Sequence, residues 1–267
     1  MQVEGQGLDV ILLPGLACGP QVWDGLMPSL LSSHHRVHRM HIAGFDGSPS
    51  VPVVDSSVLD VAAALAAYID REKLQAPIVI GHSLGGAIGL ALAAVHPAHA
   101  GRLVVVDALP FYSLLFDPAA TVHSAEPGAR AFRDAWLAAS PEQLAAMQQA
   151  SAARLVSSAE DQARVAQWGR RSDRSAVAHA AYALAVTDLR PQLARIRVPT
   201  TVVYAHHPSY GPSTGVDAIF RAAYAGLNGV EMVRIDHSRH FVMLDQPEAF
   251  GVQIARLMTS RTPRAKP

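Results

Sequence analysis

A serine flanked by glycines stands at residues 81–85, where the sequence reads Gly-His-Ser-Leu-Gly. Residues 78–80 before it have the pattern of a buried strand, and a helical pattern follows it as far as His96. Between a strand and a helix, the motif G-x-S-x-G is typical of a nucleophilic serine on a sharp turn. The glycines leave room for that turn, and the start of the helix offers N–H groups to a developing oxyanion. The motif therefore predicts Ser83 as a nucleophile; the plainer alternative is a serine that only caps the helix.

A serine hydroxyl is a weak nucleophile near neutral pH and needs a base, usually a histidine held by a carboxylate. Of the thirteen histidines, His240 is the best candidate. It follows the last predicted strand, in a loop that we expect to return over the carboxyl ends of the strands. His237, in the same loop, is the alternative base.

Four further histidines cluster near the N-terminus and suggest a metal site; they are His34, His35, His38 and His41. Positions 38 and 41 fall on opposite faces of the predicted strand, so the rings do not converge. We expect this cluster to be solvated. No other set of Cys, His and carboxylate side chains has ligand spacing, so the sequence predicts neither a metal nor an organic cofactor.

The composition excludes several classes of protein. The 267 residues include 22 Lys+Arg and 22 Asp+Glu, so the chain lacks the basic excess that nucleic-acid binding requires. Half of the residues are hydrophobic and 16% are charged, which supports a sizeable core. Cys18 is the single cysteine and cannot form an internal disulfide. Because the first residues also lack the pattern of a signal peptide, we expect a cytoplasmic protein.

The most apolar stretch, residues 78–95, is long enough to suggest a membrane span. It contains His82, Ser83 and four glycines, which would leave a lipid-exposed helix weak and partly polar. A buried strand, a glycine turn and a buried helix fit the stretch better. We therefore expect no membrane partner.

Short β-branched runs alternate with helical patterns in the first half of the chain, with strands predicted at 9–13, 37–42, 78–80 and 103–106. This alternation predicts an α/β protein with a mostly parallel sheet flanked by helices. From Pro110 to Arg190 the chain is alanine-rich and helical, and strands return at 202–204 and 230–235. We predict one α/β core in two parts, residues 1–109 and 191–267, with a helical insertion at 110–190.

Six segments together carry a family resemblance, at residues 13–16, 43–48, 81–86, 188–190, 198–200 and 238–247. With them the chain resembles the α/β-hydrolase superfamily, in the esterase-like branch with a helical cap. That branch includes pimeloyl-ester carboxylesterases, proline iminopeptidases and carbon–carbon bond hydrolases. The resemblance implies that Ser83 is the nucleophile, His240 the base, and the backbone N–H groups of Leu16 and Leu84 the oxyanion hole. It also implies that the insertion is the cap, and the short N-terminus implies that the usual opening hairpin is truncated or missing.

The acid departs from the family pattern. In most relatives an aspartate follows the strand that corresponds to residues 200–204, but here no carboxylate occurs before Asp217. Some branches place the acid after the preceding core strand, where this chain has Asp107, and the order nucleophile, acid, histidine is then kept. Asp107 is therefore the predicted acid. The alternatives are that Asp107 only caps a loop, or that Asp217, otherwise the first turn of a helix, is the acid.

These residues predict a serine hydrolase that acts by acyl transfer, most simply a carboxylesterase whose partner is a small ester with a short or medium acyl group. Four side chains of the insertion are candidates for an acyl pocket, namely Phe111, Trp136, Met147 and Tyr182. They are equally candidates for ordinary helix packing. A carbon–carbon bond hydrolase or a prolyl aminopeptidase remains open. A non-catalytic binding protein with a hydrolase fold also remains open, and the missing acid is its best support.

Overall fold

Seven strands form one sheet in the order β1-β3-β2-β4-β5-β6-β7. The strands are β1 (Gln2–Gly5), β2 (Leu8–Leu13), β3 (His35–Arg39), β4 (Ile78–His82), β5 (Arg102–Val106), β6 (Thr200–His206) and β7 (Glu231–Asp236). Strands β2 to β7 pair in parallel, and β1 runs antiparallel to β3. The structure, a computed structural model, describes residues 1–51 and 57–259. The mostly parallel sheet predicted from the alternation of strands and helices is confirmed.

Strand β1 differs from the sequence prediction, which placed no strand before residue 9. All four of its residues are exposed, so no buried face marks it in the sequence. It pairs with β3 rather than with β2. The first two strands therefore form no hairpin with each other. The residues before β2 instead contribute a short strand at the edge of the sheet.

Helices cover both faces of the sheet in the first half of the chain: α1 (Met27–Ser32), α2 (Val58–Arg71) and α3 (Leu84–Val95). Helix α2 begins at a capping box, in which the Asp60 N–H donates to Ser57 Oγ at 3.2 Å and the Ser57 N–H donates to the Asp60 carboxylate at 2.8 Å. Alternate residues of β2 pack into two separate clusters: Ile11 lies in one and Leu12 in the other. The strands are thus buried on both faces, as parallel sheets usually are.

Four helices follow β5 and precede β6: α4 (Val122–Ala138), α5 (Pro141–Leu155), α6 (Ala159–Arg171) and α7 (Arg174–Val186). Helix α4 packs against α7, and α5 packs against α6. Ser140 caps α5, because its Oγ accepts the Gln143 N–H at 3.2 Å and its own N–H donates to Gln143 Oε1 at 2.7 Å. We refer to these four helices as the helical insertion.

The second half of the core adds α8 (Ser213–Ala223), α9 (Val242–Asp245) and α10 (Pro247–Thr259). The predicted second part of the core runs from residue 191 to residue 267. Of this range, residues 260–267 lie outside the described residues. Across the described ranges, no helix combines the length and the apolar character needed to cross a membrane.

The N-terminal histidine cluster is not solvated throughout, and that expectation is wrong for two of its members. His35 is 5% exposed and His38 is 2% exposed. The His38 ring lies between the Tyr68 hydroxyl, 2.7 Å from Nδ1, and Asp9 Oδ1, 3.0 Å from Nε2. These partners satisfy the ring inside the fold. Within the described part of the chain, no group of three or more potential metal ligands occurs.

Candidate active site

Ser83 stands at the junction of β4 and α3 with φ 54° and ψ −119°, a conformation that strains any residue with a side chain. The flanking glycines make the turn possible. A Cβ atom at Gly81 would lie 2.2 Å from the Gly85 carbonyl oxygen, and a Cβ at Gly85 would lie 2.2 Å from the Leu13 carbonyl oxygen. The predicted reason for the glycines is therefore confirmed, and the Ser83 side chain remains partly exposed above the sheet.

Asp107 follows β5 and meets the ring of His240 from the loop after β7. Its Oδ2 lies 2.6 Å from Nδ1 of His240, and its Oδ1 accepts the backbone N–H of Ala205 at 2.9 Å. The residue adopts φ 44°, in the left-handed region that few residues other than glycine enter. The carboxylate is thus held on one side by β6 and presents its other oxygen to the histidine.

His237 and Asp217, the two alternatives, have different surroundings. His237 is exposed, with φ 59°. Asp217 is 9% exposed, and its two oxygens accept from the Tyr204 hydroxyl and from Nη1 of Arg234, each at 2.8 Å. Burial alone would raise the pKa of Asp217, but these two donors hold it below its usual value. The expected position in the first turn of a helix is wrong: Asp217 is the fifth residue of α8, and its carboxylate is engaged by Tyr204 and Arg234.

The two predicted oxyanion donors lie on neighbouring segments. Leu84 is the first residue of α3, where N–H groups have no acceptor within the helix. Leu16 lies in the loop after β2, and the Cys18 thiol donates to the Leu16 carbonyl at 3.3 Å. A Cβ at Gly85 would also meet the Pro14 carbonyl oxygen at 2.7 Å, so the loop and the start of α3 touch. This arrangement suits two backbone donors to one oxyanion.

His82 is a residue whose role sequence reasoning missed. Its ring is fully buried, and its Nε2 lies 3.1 Å from the backbone carbonyl oxygen of His240. The two imidazole rings are 4.5 Å apart between centroids. Burial, and then the neighbouring His240, hold the pKa of His82 well below its ordinary value of 6.5. His82 is thus a neutral ring that donates from Nε2 to the loop of the candidate base.

Tyr210 is a second residue that the sequence did not single out for the site. It lies in the loop after β6 and is 44% exposed, and the negative charge of Asp107 acts on its hydroxyl. Burial, and then the charge of Asp107, raise the pKa of Tyr210 to about 12. The phenol is therefore protonated at neutral pH beside the Asp107 and His240 pair.

The helical insertion is fastened to the loop of His240 at the connection between α5 and α6. The Phe241 N–H donates to the Leu155 carbonyl at 3.1 Å. The Ser157 N–H donates to Asp245 Oδ1 at 2.8 Å. These bonds fix the start of α6 against the residues that follow the candidate base.

The other end of α6 is fastened near the loop that holds Leu16. Ser172 Oγ accepts the Asp46 N–H at 2.9 Å and lies 3.4 Å from the Ala17 carbonyl oxygen. The Gly47 N–H donates to the Arg171 carbonyl at 2.9 Å, and Nε of Arg171 lies 3.3 Å from the buried Asp46 carboxylate. Helix α6 therefore bridges the two loops that carry the candidate base and one candidate oxyanion donor.

A cavity of about 360 Å³ lies between the helices of the insertion. Of the four predicted pocket residues, Trp136 lines it, whereas the other three are not among its lining residues. Phe111 is fully buried in the core, under the Arg190 guanidinium at 5.0 Å from its ring centre. Tyr182 lies at the contact of α4 and α7, where its hydroxyl donates to Glu126 at 3.4 Å, and Met147 is half-buried on α5.

Comparison with known proteins gives the family. The family model described as alpha/beta hydrolase matches residues 10–251. The chain therefore belongs to the α/β-hydrolase family, as its motifs indicated.

Several relatives carry the name of an esterase. The chain is 26% identical to the pimeloyl-(acyl-carrier protein) methyl ester esterase of Vibrio cholerae over 97% of each protein. It is 34% identical to the protein of the same name from Aeromonas hydrophila, in a match that spans 40% of this chain and only 41% of that relative. Among solved structures, the enol-lactonase from Burkholderia xenovorans has a TM-score of 0.79 at 20% identity and covers 97% of this chain and 95% of its own. That likeness shows a shared fold.

Proposed function

We propose that this chain is a serine carboxylesterase in which Ser83 is the nucleophile, His240 the base and Asp107 the acid that orients the base. The observation that carries the proposal is the 2.6 Å contact between Oδ2 of Asp107 and Nδ1 of His240. This contact gives the histidine a carboxylate partner from a separate loop. The serine, in turn, occupies the strained turn typical of nucleophiles in this fold.

The contact assigns the two ring nitrogens of His240 different tasks. Nδ1–H donates to Asp107, so Nε2 is the nitrogen that accepts a proton. In the proposed reaction, Ser83 Oγ attacks the ester carbonyl carbon while its proton passes to Nε2 of His240. The N–H groups of Leu16 and Leu84 stabilise the negative oxygen of the tetrahedral intermediate.

The intermediate then collapses. The carbon–oxygen bond to the alcohol breaks, and His240 delivers its proton to the departing alkoxide, leaving an acyl-serine. Water attacks this ester as His240 removes its proton, and the carboxylic acid leaves as Ser83 regains its hydrogen. The net reaction consumes one ester and one water and yields one acid and one alcohol.

The esters are proposed to have short or medium acyl groups. Relatives named as methyl ester esterases support ester hydrolysis, and one of them is 26% identical over 97% of this chain. The contact between Asp107 and His240 supports a catalytic protein over a non-catalytic one with the same fold, because it gives His240 a carboxylate although the loop after β6 has none.

The proposal is tested with methyl and p-nitrophenyl esters of acetate, butyrate and octanoate, measured with wild-type protein and Ser83→Ala. We expect hydrolysis by the wild type and a loss on the order of 10⁶ in turnover for the variant. His240→Ala and His237→Ala are compared in the same assay, and only His240→Ala should remove most of the activity. Equal activity of Ser83→Ala and wild type, with all other conditions matched, contradicts the proposal.

A further inference from the structure

The cavity in the helical insertion has a distinctive lining. Its walls come from the last part of α4, the first half of α5, the end of α6 and the start of α7. Its volume of about 360 Å³ falls within the range of small-molecule sites. The residues that line it are Trp136, Pro141, Leu144, Ala145, Gln148, Gly169, Arg170, Ser172, Arg174 and Val177. Two of these are arginines and none is acidic.

The two arginines have no carboxylate partner within the described ranges. Arg174 donates from Nη1 to the Leu137 carbonyl at 3.1 Å, and Arg170 makes neither a hydrogen bond nor an ion pair with the described residues. Arg164, which lies six residues earlier on α6, is by contrast paired: it lies 3.3 Å from Asp161. The cavity therefore has a net positive wall that the fold does not neutralise.

Nearby acids are engaged elsewhere. The Glu142 carboxylate accepts from Ser140 Oγ at 2.7 Å, and Asp173 Oδ1 accepts the Ala176 N–H at 2.8 Å. Neither residue lines the cavity. A bound anion would thus face two guanidinium groups without an opposing carboxylate in the cavity wall.

The rest of the lining is largely apolar. Trp136, Leu144 and Val177 contribute an indole ring and aliphatic side chains. A purely ionic ligand would leave these surfaces in water, whereas a carbon chain that ends in an anion would cover them. Guanidinium groups bind carboxylates in a planar, charge-assisted geometry. The lining therefore fits an aliphatic chain with a terminal carboxylate.

Ser172 joins the wall of the cavity to the loop that holds Leu16, one of the candidate oxyanion donors. Ser172 lines the cavity, and its Oγ lies 3.4 Å from the carbonyl oxygen of Ala17, the residue next to Leu16. We propose that the substrate is an ester whose acyl chain ends in a second, free carboxylate. The carboxylate lies between Arg170 and Arg174, and the ester group reaches Ser83. This inference rests on the proposed esterase function and adds the class of acyl group.

The test compares monomethyl esters of straight-chain dicarboxylic acids, from succinate to sebacate, with methyl esters of monocarboxylic acids of equal length. The readout is the ratio of kcat/KM for the charged ester to that for the neutral ester. At the preferred length, we expect the wild-type ratio to exceed one and to fall about tenfold in Arg170→Gln or Arg174→Gln. Arg164→Gln, a paired arginine outside the cavity, should keep the wild-type ratio.

A binding measurement separates this inference from the proposed function. Ser83→Ala protein is titrated with monomethyl adipate in a calorimeter, and we expect it to bind. The Kd should rise about tenfold in the double variant Ser83→Ala, Arg170→Gln. Because Arg170 makes no bond to the described residues, this variant should fold even if Arg174→Gln does not.

A wild-type ratio of one or less at every length, or a ratio that neither arginine substitution changes, overturns the inference while ester hydrolysis stands. Absence of any ester hydrolysis overturns the proposed function, and the titration then decides the cavity alone.

Discussion

Nδ1 of His240 lies 2.6 Å from Oδ2 of Asp107, although 133 positions separate the two residues in the chain. The parallel sheet explains how they meet. Strands β5, β6 and β7 lie side by side and end at the same edge, so the loops that follow β5 and β7 approach each other across the end of β6. The N–H of Ala205 in β6 fixes the second oxygen of Asp107 at 2.9 Å.

Asp107→Asn should keep the fold and lower turnover by up to about 10⁴, because an amide no longer selects the productive tautomer of His240 or stabilises its charged form. The measurement is kcat for p-nitrophenyl butyrate, with circular dichroism and Tm as checks on folding. Asp107→Asn with wild-type turnover would show that His240 works without this carboxylate.

Asp217→Asn is the matched control for the choice of acid. It weakens the bonds of Asp217 with the buried Tyr204 hydroxyl and with Arg234, so we expect a loss of about 2 kcal/mol in the free energy of unfolding. Turnover of the folded protein at low temperature should change less than about threefold, since an effect below ~1 kcal/mol is expected at a distant site. A large fall in turnover without a fall in Tm would instead make Asp217 the acid.

His82→Phe and His82→Gln separate the ring of His82 from its hydrogen bond. Phenylalanine fills the space but cannot donate to the His240 carbonyl, whereas a glutamine amide offers a donor at a similar reach. We expect His82→Phe to lower kcat about ten- to a hundredfold through misplacement of the base, with little change in KM. His82→Gln should recover part of that loss. Equal kcat in both variants and the wild type removes His82 from the positioning of His240.

Acid should destabilise the wild type through His82. Its pKa is held well below 6.5 in the folded protein, so the unfolded chain binds a proton at that position as the pH falls through about 6.5 while the folded protein does not. The contribution of His82 to the free energy of unfolding is therefore fully present above that pH. It decreases on acidification by up to about 1.4 kcal/mol per pH unit. Denaturant unfolding between about pH 7 and pH 5 should show a steeper decrease for the wild type than for His82→Gln, which has no titrating group there. Parallel profiles contradict the assigned shift.

Trp136→Ala should change the acyl-chain preference, because the indole lines the cavity of the helical insertion. Tyr182→Ala is the control, since Tyr182 lies at the contact of α4 and α7 and is not a lining residue. The measurement is the relative kcat/KM for acetate, butyrate, octanoate and laurate esters. If Trp136→Ala and Tyr182→Ala give the wild-type profile, the cavity does not receive the acyl chain.

Local sequence signals predicted much of the fold. Helix starts such as those at Ser57 and Ser140 can be recognised in the sequence, because their capping bonds involve only neighbours three residues away. The four-residue strand β1 was missed because all its residues are exposed and its pairing with β3 depends on a distant segment. His38 was expected in water because its partners, Asp9 and Tyr68, are far from it in sequence.

The residues of the candidate site also separate into those that local sequence identifies and those that depend on distant segments. Ser83 and His240 are recognisable from motif and position. Asp107 was predicted as the acid because the loop after β6 has no carboxylate. The contact of His82 with the loop of His240 could not be predicted, because it joins segments that only the folded sheet brings together. The bonds from Ser172 to the core are of the same kind: Asp46 lies 126 positions away.

Covalent labelling tests most directly whether Ser83 is an activated nucleophile. Wild-type protein is treated with a fluorophosphonate, its intact mass is measured, and the modified residue is mapped by peptide sequencing. We predict one adduct, on Ser83, formed slowly in His240→Ala and Asp107→Asn and not formed in Ser83→Ala. A wild-type protein that remains unlabelled, or an adduct on another residue that persists in Ser83→Ala, would contradict this assignment.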